Sequence, residues 1–256
     1  EEMDDYAFRS QQRTGAAIAR GFFEREITPY TRKDGTVISA DDCPRPQTER
    51  EKLGSLAPAF RPTGRVTAGN ACPLNDGAAA VLVMSDTKAK QLGITPLARV
   101  VSTGVSALNP EIMGLGPIEA CRQALKRAGM TINDIDLIEV NEAFAAVVLK
   151  FLRDTGADWG KCNVNGGAIA LGHPIGATGG MLIGTALDEL ERRLKAVGRG
   201  GHPTFRAAAE HLFASPGKML RPTLVFLAAR FGTVEGREVV LNLAQSLELV
   251  HTASLV

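Results

Sequence analysis

The sequence predicts an α/β layer followed by an all-helical C-terminal segment. From about residue 65 to residue 193, strand-like apolar runs alternate with helical patterns, which is typical of a mostly parallel sheet with helices packed on it. From residue 194 onward, helical patterns follow one another and no strand-like run separates them. We therefore expect two parts of different origin.

The composition favours a globular chain and gives no support to nucleic acid or a membrane as a partner. Of the 256 residues 45% are apolar, and the formal net charge is +1. The longest apolar run, 78–84, is far shorter than the roughly 20 residues of a transmembrane helix. The cysteines form no CxxC pair, which disfavours a zinc site and suggests a reducing, cytoplasmic location. Since the chain opens on "EEMDD", we expect the native N-terminus to be absent.

The predicted elements follow from hydrophobic spacing and from helix start and stop signals. Residues 5–27 are predicted to be a helix with Pro29 beyond its end, and residues 31–64 to be turns and extended pieces. The sequence then predicts strands at 77–85, 97–107 and 134–140, and helices at 86–93, 117–129, 142–156 and 175–194. Further helices are predicted at 205–213, 222–231 and 235–255.

Three positions are candidates for a functional site. Asn141 follows a predicted strand, where open α/β sheets usually present ligands, although it could instead be only the N-cap of the next helix. His173 stands in the glycine-rich stretch "NGGAIALGHPIGATGG", which could hold an anion or an oxyanion, or could be structural. Cys72 lies in a turn-rich loop, where an inert thiol is the alternative to a nucleophile.

Taken in order, these segments resemble the thiolase family, whose members make or cleave 3-ketoacyl-coenzyme A thioesters through an acylated cysteine. The similarity covers residues 1 to about 193 and includes "YAFRSQQR", "VTAGNACPLNDGAAA", "LNPEIMGLGP", "IEVNEAFAA" and "NVNGGAIALGHPIGATG". The resemblance implies the end of the thiolase loop domain at 1–64 and part of the C-terminal α/β half at 65–193. It implies a thiolase-like α/β fold that is incomplete in this chain.

The resemblance also assigns roles to individual positions. His173 and Asn141 correspond to the catalytic histidine and asparagine that activate the nucleophile and stabilise the thioester oxyanion. Ala143 and Phe144 correspond to residues that line the acyl or pantetheine channel. The remaining coenzyme A positions implied by the resemblance are Ala68, Cys72 and Arg45. Coenzyme A thioester is then a substrate, and no covalently bound cofactor is expected.

The sequence departs from the family where the reactive sulfurs are concerned. Neither a Cys-x-Ser-Gly motif nor a Cys-x-Gly-Gly-Gly motif occurs in the 256 residues, and Gly180 and Met181 stand where Ala-Arg is common. A covalent mechanism requires its nucleophile. We therefore expect this chain to be inactive as a thiolase and to be a truncated or chimeric fragment. A noncatalytic coenzyme A-binding protein is the alternative, and homo-oligomers are expected of the full-length family.

The tail, from about residue 201 to 256, resembles the start of trans-type polyprenyl diphosphate synthases. The segments "GKMLRPTLVFLAAR" and "LAQSLELVHTASLV" carry this resemblance. It implies that Lys218, Arg221 and His251 bind a diphosphate, which suits their positive charge. No Asp-Asp-x-x-Asp motif occurs, so Mg²⁺ is expected only if the synthase part were complete. A piece of a bifunctional thiolase/prenyl diphosphate synthase is a further alternative.

Overall fold

The computed structural model describes residues 1–199. The chain divides into two compact units, one made of Glu1–Val83 and Arg99–Glu189, the other of Met84–Ala98 and Leu190–Val256. In the described part the helices are α1 (Glu2–Ala19), α2 (Arg50–Leu53), α3 (Asp86–Leu92), α4 (Gly116–Ala128), α5 (Ala145–Thr155), α6 (Ala168–Leu171) and α7 (Thr178–Arg199), and the strands are β1 (Tyr30–Thr31) and β2 (Val37–Ile38). Short 3₁₀ helices occupy Phe22–Glu24, Pro110–Leu115 and Ile132–Asp134.

Helix α1 is shorter than the sequence pattern predicts. Its buried residues recur every three or four positions and include Tyr6, Ser10, Thr14 and Ala17, so one face packs against the rest of the first unit. The helix ends at Ala19 because Gly21 takes a left-handed conformation with φ of 72°. The predicted extension to residue 27 is therefore wrong, and Phe22–Glu24 form a separate 3₁₀ turn.

Helices α4 and α5 end where the sequence places their stop signals. Pro117 lies in the first turn of α4, and Gly129 closes this helix with φ of 66°. Gly156 closes α5 in the same way, with φ of 73°. Glycine suits these positions because it adopts positive φ without a steric penalty. The start of α5 is three residues later than predicted, at Ala145.

The main core of the first unit lies between α1, α4 and α5. Tyr6 and Ala7 contribute from α1, Ile118 from α4, and the apolar face of α5 contributes Val148, Leu149, Phe151 and Leu152. Ile138, Val140, Cys162 and Ile169 complete this buried cluster. The segments that carry Asn141 and the glycine loop are thus anchored in the core.

The predicted strands do not form ladders in the part of the first unit that the structure describes. Residues 77–83 and 99–107 are not in strands, and the side chains of Leu82, Val83, Val100 and Val105 are 70–77% exposed. Apolar, β-branched residues favour a strand, but a strand also needs a hydrogen-bonded neighbour. Residues 102–106 run along α4 instead, with Ser102 and Ser106 donating to the carbonyls of Ala124 and Gly116.

The third predicted strand, 134–140, pairs at a single point. Ile138 forms a parallel bridge to Cys162, in which Ile138 N donates to Lys161 O at 3.0 Å and Asn163 N donates to Ile138 O at 2.9 Å. This bridge fixes the chain just before Asn141 against the chain just before the glycine loop.

The second unit is described in part. Ser85 caps α3 by accepting from Lys88 N, and Gly93 ends this helix with φ of 64°, as the sequence predicts. Helix α7 reaches Arg199, beyond its predicted end at 194. The predicted tail helices, with Lys218, Arg221 and His251, lie outside the described residues. Within residues 1–199, no helix combines the length and the apolar character needed to cross a membrane.

Two partly buried carboxyl groups of the first unit change the pH dependence of folding. Burial is the main reason why the pKa of Glu139 is raised to about 8, and the neighbouring carboxylates of Glu142, Glu26 and Glu189 contribute to the same shift. Burial also raises the pKa of Glu26 to about 7, although Thr185 donates a hydrogen bond to this carboxyl group. Both groups lose their proton more readily in the unfolded chain than in the folded one.

We expect the free energy of unfolding to fall as pH rises from about 4.5 to about 8. The unfolded chain releases the Glu139 proton near the ordinary pKa of 4.5, whereas the folded chain keeps it up to about 8. The substitution Glu139→Gln should reduce this slope by up to about 1.4 kcal/mol per pH unit. Urea unfolding from pH 5 to pH 8 measures it, with Glu111→Gln, at an exposed position, as the control. An unchanged slope in Glu139→Gln would contradict the expectation.

Candidate active site

The glycine-rich loop before α7 is shaped by close contacts with neighbouring segments. Gly172, directly before His173, has φ of 96°, and a Cβ atom there would lie 2.4 Å from the side chain of Asn75. A Cβ atom at Gly167 would lie 2.4 Å from the carboxyl carbon of Glu142. The loop therefore requires glycine at these two points, and its path past Asn75 and Glu142 determines where His173 stands.

His173 and Asn141 meet, although 31 residues separate them in the sequence. Asn141 Nδ2 lies 3.0 Å from His173 Nε2. On the other side of the ring, His173 Nδ1 lies 2.8 Å from Thr178 Oγ1. The amide oxygen of Asn141 is buried and has no hydrogen-bond partner among the described residues, so it is available to accept a hydrogen bond from a ligand.

Asn141 does not cap a helix. Helix α5 begins at Ala145 and its N-cap residue is Phe144, so the alternative interpretation of Asn141 as the helix cap is wrong. The extended N-cap conformation of Phe144 (φ −145°, ψ 144°) leaves Asn141 to Ala143 outside the helix. The Asn141 side chain is consequently free to face His173.

The carboxylate of Glu142 is buried and accepts four hydrogen bonds. Tyr6 OH and Asn163 Nδ2 donate to Oε1 at 2.7 and 2.8 Å. Ser10 Oγ and Ile169 N donate to Oε2 at 2.6 and 3.1 Å. A buried charge is tolerated when hydrogen bonds replace its lost hydration. The residue after Asn141 is thereby joined to α1, to the segment before the loop, and to α6 inside it.

Asn163 reinforces this arrangement through an unusual backbone conformation. It is the non-glycine residue with positive φ, 45°, in the described part of the chain. Its side chain accepts from Val140 N and donates to Val140 O, both at 2.8 Å. The Asn163 amide thus pairs with the backbone of Val140 as a neighbouring strand would, directly before Asn141.

Two further predicted site segments are hydrogen-bonded to each other. Cys72 N donates to Ala143 O at 3.1 Å, and Ala145 N donates to Asn70 O at 2.9 Å. Phe144 therefore lies against the loop that holds Ala68 and Cys72, and its ring also contacts Phe60 with 6.1 Å between centroids. Ala68 is exposed, while Cys72, Ala143 and Phe144 are partly buried. The structure thus pairs the loop that holds Ala68 and Cys72 with the segment that holds Ala143 and Phe144.

Arg45 lies in the loop after the β1–β2 hairpin. Its backbone N–H donates to Gln11 Oε1 at 2.7 Å, and its guanidinium donates to the carbonyl groups of Asp42 and Cys43. The side chain is exposed. No contact in the described structure joins Arg45 to His173 or Asn141.

The four cysteines are protonated thiols at neutral pH. Burial raises the pKa of Cys162 to about 12. Burial is also the main reason why the pKa values of Cys43, Cys72 and Cys121 lie above the ordinary value. Because the thiolate is the reactive form, none of these side chains is activated as a nucleophile. Within residues 1–199, no group of three or more His, Cys, Asp and Glu side chains is placed to hold a metal ion.

Comparison with known proteins identifies the first 202 residues. Residues 1–87 match the family model described as "Thiolase, N-terminal domain", and residues 94–202 match "Thiolase, C-terminal domain". This part of the chain belongs to the thiolase family. Residues 202–256 match the model for polyprenyl synthetase. The thiolase resemblance predicted from the sequence is thus confirmed at the level of the family, and the match of residues 202–256 agrees with the resemblance of the tail.

Named relatives and solved thiolase structures support this identification. An acetyl-CoA acetyltransferase of Syntrophomonas wolfei is 51% identical over 200 residues, which cover 75% of this chain and 50% of the relative. The crystal structure of the Bacillus anthracis acetyl-CoA acetyltransferase matches with a TM-score of 0.72 and 45% identity, over 75% of this chain and 50% of that chain.

The human mitochondrial 3-ketoacyl-CoA thiolase, solved in complex with CoA, matches with a TM-score of 0.69 and 46% identity, over 75% of this chain and 48% of that chain. These similarities confirm the thiolase-like fold class. The chain spans about half the length of the relatives that it matches.

Several residues that build this site lie in segments that resemble thiolases, but the sequence did not single them out as site residues. Glu142 follows Asn141 in the sequence, yet its four donors come from positions 21 to 136 residues away. Tyr6 and Ser10 lie in the segment "YAFRSQQR", but its pattern does not indicate that they donate to a buried carboxylate. Asn163, three residues before a run of glycines in "NVNGG", offered a weak signal, because Asn tolerates the left-handed conformation.

We expect Glu142→Ala to destabilise the fold by about 3 kcal/mol or more, because it leaves several buried donors without an acceptor. Glu142→Gln should lie between this variant and the wild type, since one of its two terminal atoms becomes a donor. The exposed Glu111→Ala should change stability by less than about 0.5 kcal/mol. Urea unfolding of the three variants measures these differences in the free energy of unfolding. Equal stability of Glu142→Ala and Glu111→Ala would contradict the role of the carboxylate.

We expect the glycines of the loop to differ in how well they tolerate a side chain. Gly172→Ala should cost about 1–3 kcal/mol in unfolding free energy, because alanine is strained at φ of 96° and its Cβ would overlap Asn75. Gly176→Ala is the matched control in the same loop, since a Cβ atom there would meet nothing within 4 Å. Thermal unfolding compares the two variants. The steric account fails if both lower the midpoint equally.

Proposed function

We propose that residues 1 to about 193 carry part of a thiolase acyl-transfer site, in which His173 and Asn141 act on a 3-ketoacyl-coenzyme A thioester. The observation that supports this most directly is the 3.0 Å contact between Asn141 Nδ2 and His173 Nε2. An imidazole can take and return a proton, and an amide can donate to an oxygen on which negative charge develops. These are the two tasks of thioester cleavage and formation.

The proposed coenzyme A-binding residues lie on two neighbouring segments. Ala68 and Cys72 belong to the loop whose backbone is hydrogen-bonded to Ala143 and Ala145. Phe144 and Phe60 form an apolar pair beside this loop, and the Phe60 side chain is 72% exposed. An aromatic pair with one exposed ring suits the pantetheine arm, which is largely apolar along its length. Arg45 is proposed to contact the phosphate groups of the nucleotide.

The isolated chain is proposed to bind the thioester without completing the reaction. None of its four cysteines stands in either catalytic cysteine motif, and the pKa of each thiol is raised, mainly by burial. No thiolate is therefore poised to accept the acyl group. This thiol chemistry also supports the second candidate function, a noncatalytic coenzyme A-binding protein.

The tail supports a further proposal for the chain as a fragment of a fused thiolase and polyprenyl synthase. The thiolase match ends at residue 202, where the polyprenyl synthetase match begins. Lys218, Arg221 and His251 are proposed to bind a diphosphate through their positive charge and donor groups. Mg²⁺ would be required for prenyl transfer, and the sequence offers no Asp-Asp-x-x-Asp motif to hold it.

Calorimetric titration with coenzyme A tests the binding part of the proposal. The chain should bind with micromolar affinity, and Phe144→Ala should weaken binding roughly tenfold through lost apolar contact. Tyr30→Ala removes an exposed aromatic ring in the β1–β2 hairpin and should leave the affinity unchanged. Absence of binding would overturn the proposal.

The same protein preparation decides between binding alone and catalysis. Acetoacetyl-coenzyme A should not be cleaved in the presence of free coenzyme A, because the covalent step has no nucleophile. Cleavage that disappears in His173→Ala would contradict the proposed inactivity and would show that one of the four thiols serves the site.

A further inference from the structure

We infer that the Thr178 hydroxyl holds His173 in a single neutral tautomer, with the proton on Nδ1 and the lone pair on Nε2. Thr178 is then a positioning residue of the site and acts through His173. It lies in the first turn of α7, five residues after the histidine, and its side chain is buried. Its importance for acyl transfer rests on the proposed function, whereas the tautomer itself does not.

The inference follows from the donors and acceptors around the hydroxyl group. Thr178 Oγ1 lies 3.0 Å from the carbonyl oxygen of Pro174 and 2.8 Å from His173 Nδ1. A carbonyl oxygen only accepts, so the single hydroxyl proton is directed to Pro174. Toward His173 the hydroxyl oxygen must then accept, and Nδ1 must carry the proton.

The opposite side of the ring agrees with this assignment. Asn141 Nδ2, 3.0 Å from His173 Nε2, is an amide nitrogen that donates and does not accept. A neutral imidazole has one protonated nitrogen, so a lone pair on Nε2 requires a proton on Nδ1. Hydrogen-bond directions on both sides of His173 thus lead to the same tautomer.

The local fold keeps Thr178 in place for this role. Pro174 O accepts from the backbone N–H groups of Ala177 and Thr178 at 2.8 and 3.0 Å, so the turn that joins His173 to α7 is closed by backbone hydrogen bonds. Thr178 is buried, with 5% of the residue exposed, so water has little access to replace its hydroxyl group. Imidazole in water favours the tautomer protonated on Nε2, so the protein must supply an acceptor to reverse this preference.

The tautomer determines which nitrogen of His173 can take a proton. With the proton on Nδ1, the basic lone pair is on Nε2, the nitrogen that faces Asn141. A group that donates a proton to His173 must therefore approach from the Asn141 side, where the buried Asn141 Oδ1 also lacks a partner in the described structure. Proton acceptance at His173 Nε2 and hydrogen-bond acceptance at Asn141 Oδ1 would then occur at one place.

Nitrogen NMR of the full 256-residue chain labelled with ¹⁵N-histidine tests the inference directly. The chain has four histidines, and the variant His173→Asn identifies the signals of His173 by their loss. At alkaline pH, where imidazole rings are neutral, Nδ1 of His173 should show the shift of a protonated nitrogen and Nε2 that of an unprotonated one. The opposite pattern in the wild-type chain would overturn the inference.

Matched variants assign the effect to the hydroxyl group. Thr178→Val keeps the shape and removes the acceptor, and it should shift the tautomer ratio about fivefold toward the Nε2-protonated form, as expected for one hydrogen bond. Thr178→Ser should retain the wild-type pattern. Thr185→Val removes a hydroxyl from the same helix that donates to Glu26 and should also retain it. An unchanged ratio in Thr178→Val would overturn the role of Thr178, and if that variant does not fold, the wild-type and Thr178→Ser spectra still decide the tautomer.

This experiment fails or succeeds independently of the proposed function. A chain that shows the Nδ1-protonated tautomer but binds no coenzyme A would refute the proposed function and support the inference. A chain that binds coenzyme A with His173 protonated on Nε2 would do the reverse.

Discussion

The arrangement of the first unit depends on the hydrogen bonds that the buried carboxylate of Glu142 accepts. A charge without solvent needs several donors, and here they come from α1, from Asn163 and from the backbone of α6. Burial and the Glu142 carboxylate raise the pKa of Tyr6 above its ordinary value, so its hydroxyl remains a donor. One side chain therefore holds together segments that are far apart in the sequence.

The geometry of the site depends on the hydrogen bonds around the Glu142 carboxylate. Asn141 precedes Glu142, and Asn163 fixes the backbone of Val140 just before it. The glycine loop begins at the other end of the same network, and it brings His173 back to Asn141. Neither His173 nor Asn141 lies in a helix or a strand. Their contact therefore depends on side-chain hydrogen bonds more than on helix packing. Loops supported by a rigid frame are the usual place for such groups.

Sequence reasoning succeeded where the signals are local. The ends of α3, α4 and α5 were predicted because a glycine with positive φ terminates each of them. The structure places His173 beside Asn141 and Phe144 beside the Cys72 loop, and the roles that the thiolase resemblance gives these residues stay predictions. The strands at 77–85 and 97–107 were predicted wrongly for the described structure, because strand propensity says nothing about whether a hydrogen-bonded neighbour is present.

The amino-acid sequence was sufficient to establish the thiolase family, the main helices and the candidate residues His173 and Asn141, since motifs and helix caps are written in short stretches of chain. The folded arrangement was needed to reject Asn141 as a helix cap, to reveal Glu142 as a buried acceptor of four hydrogen bonds, and to orient His173 between Thr178 and Asn141. Each of these depends on which atoms meet across long sequence separations. Contacts of that kind form only when the apolar core is packed and the buried charge is hydrogen-bonded in the same folded structure.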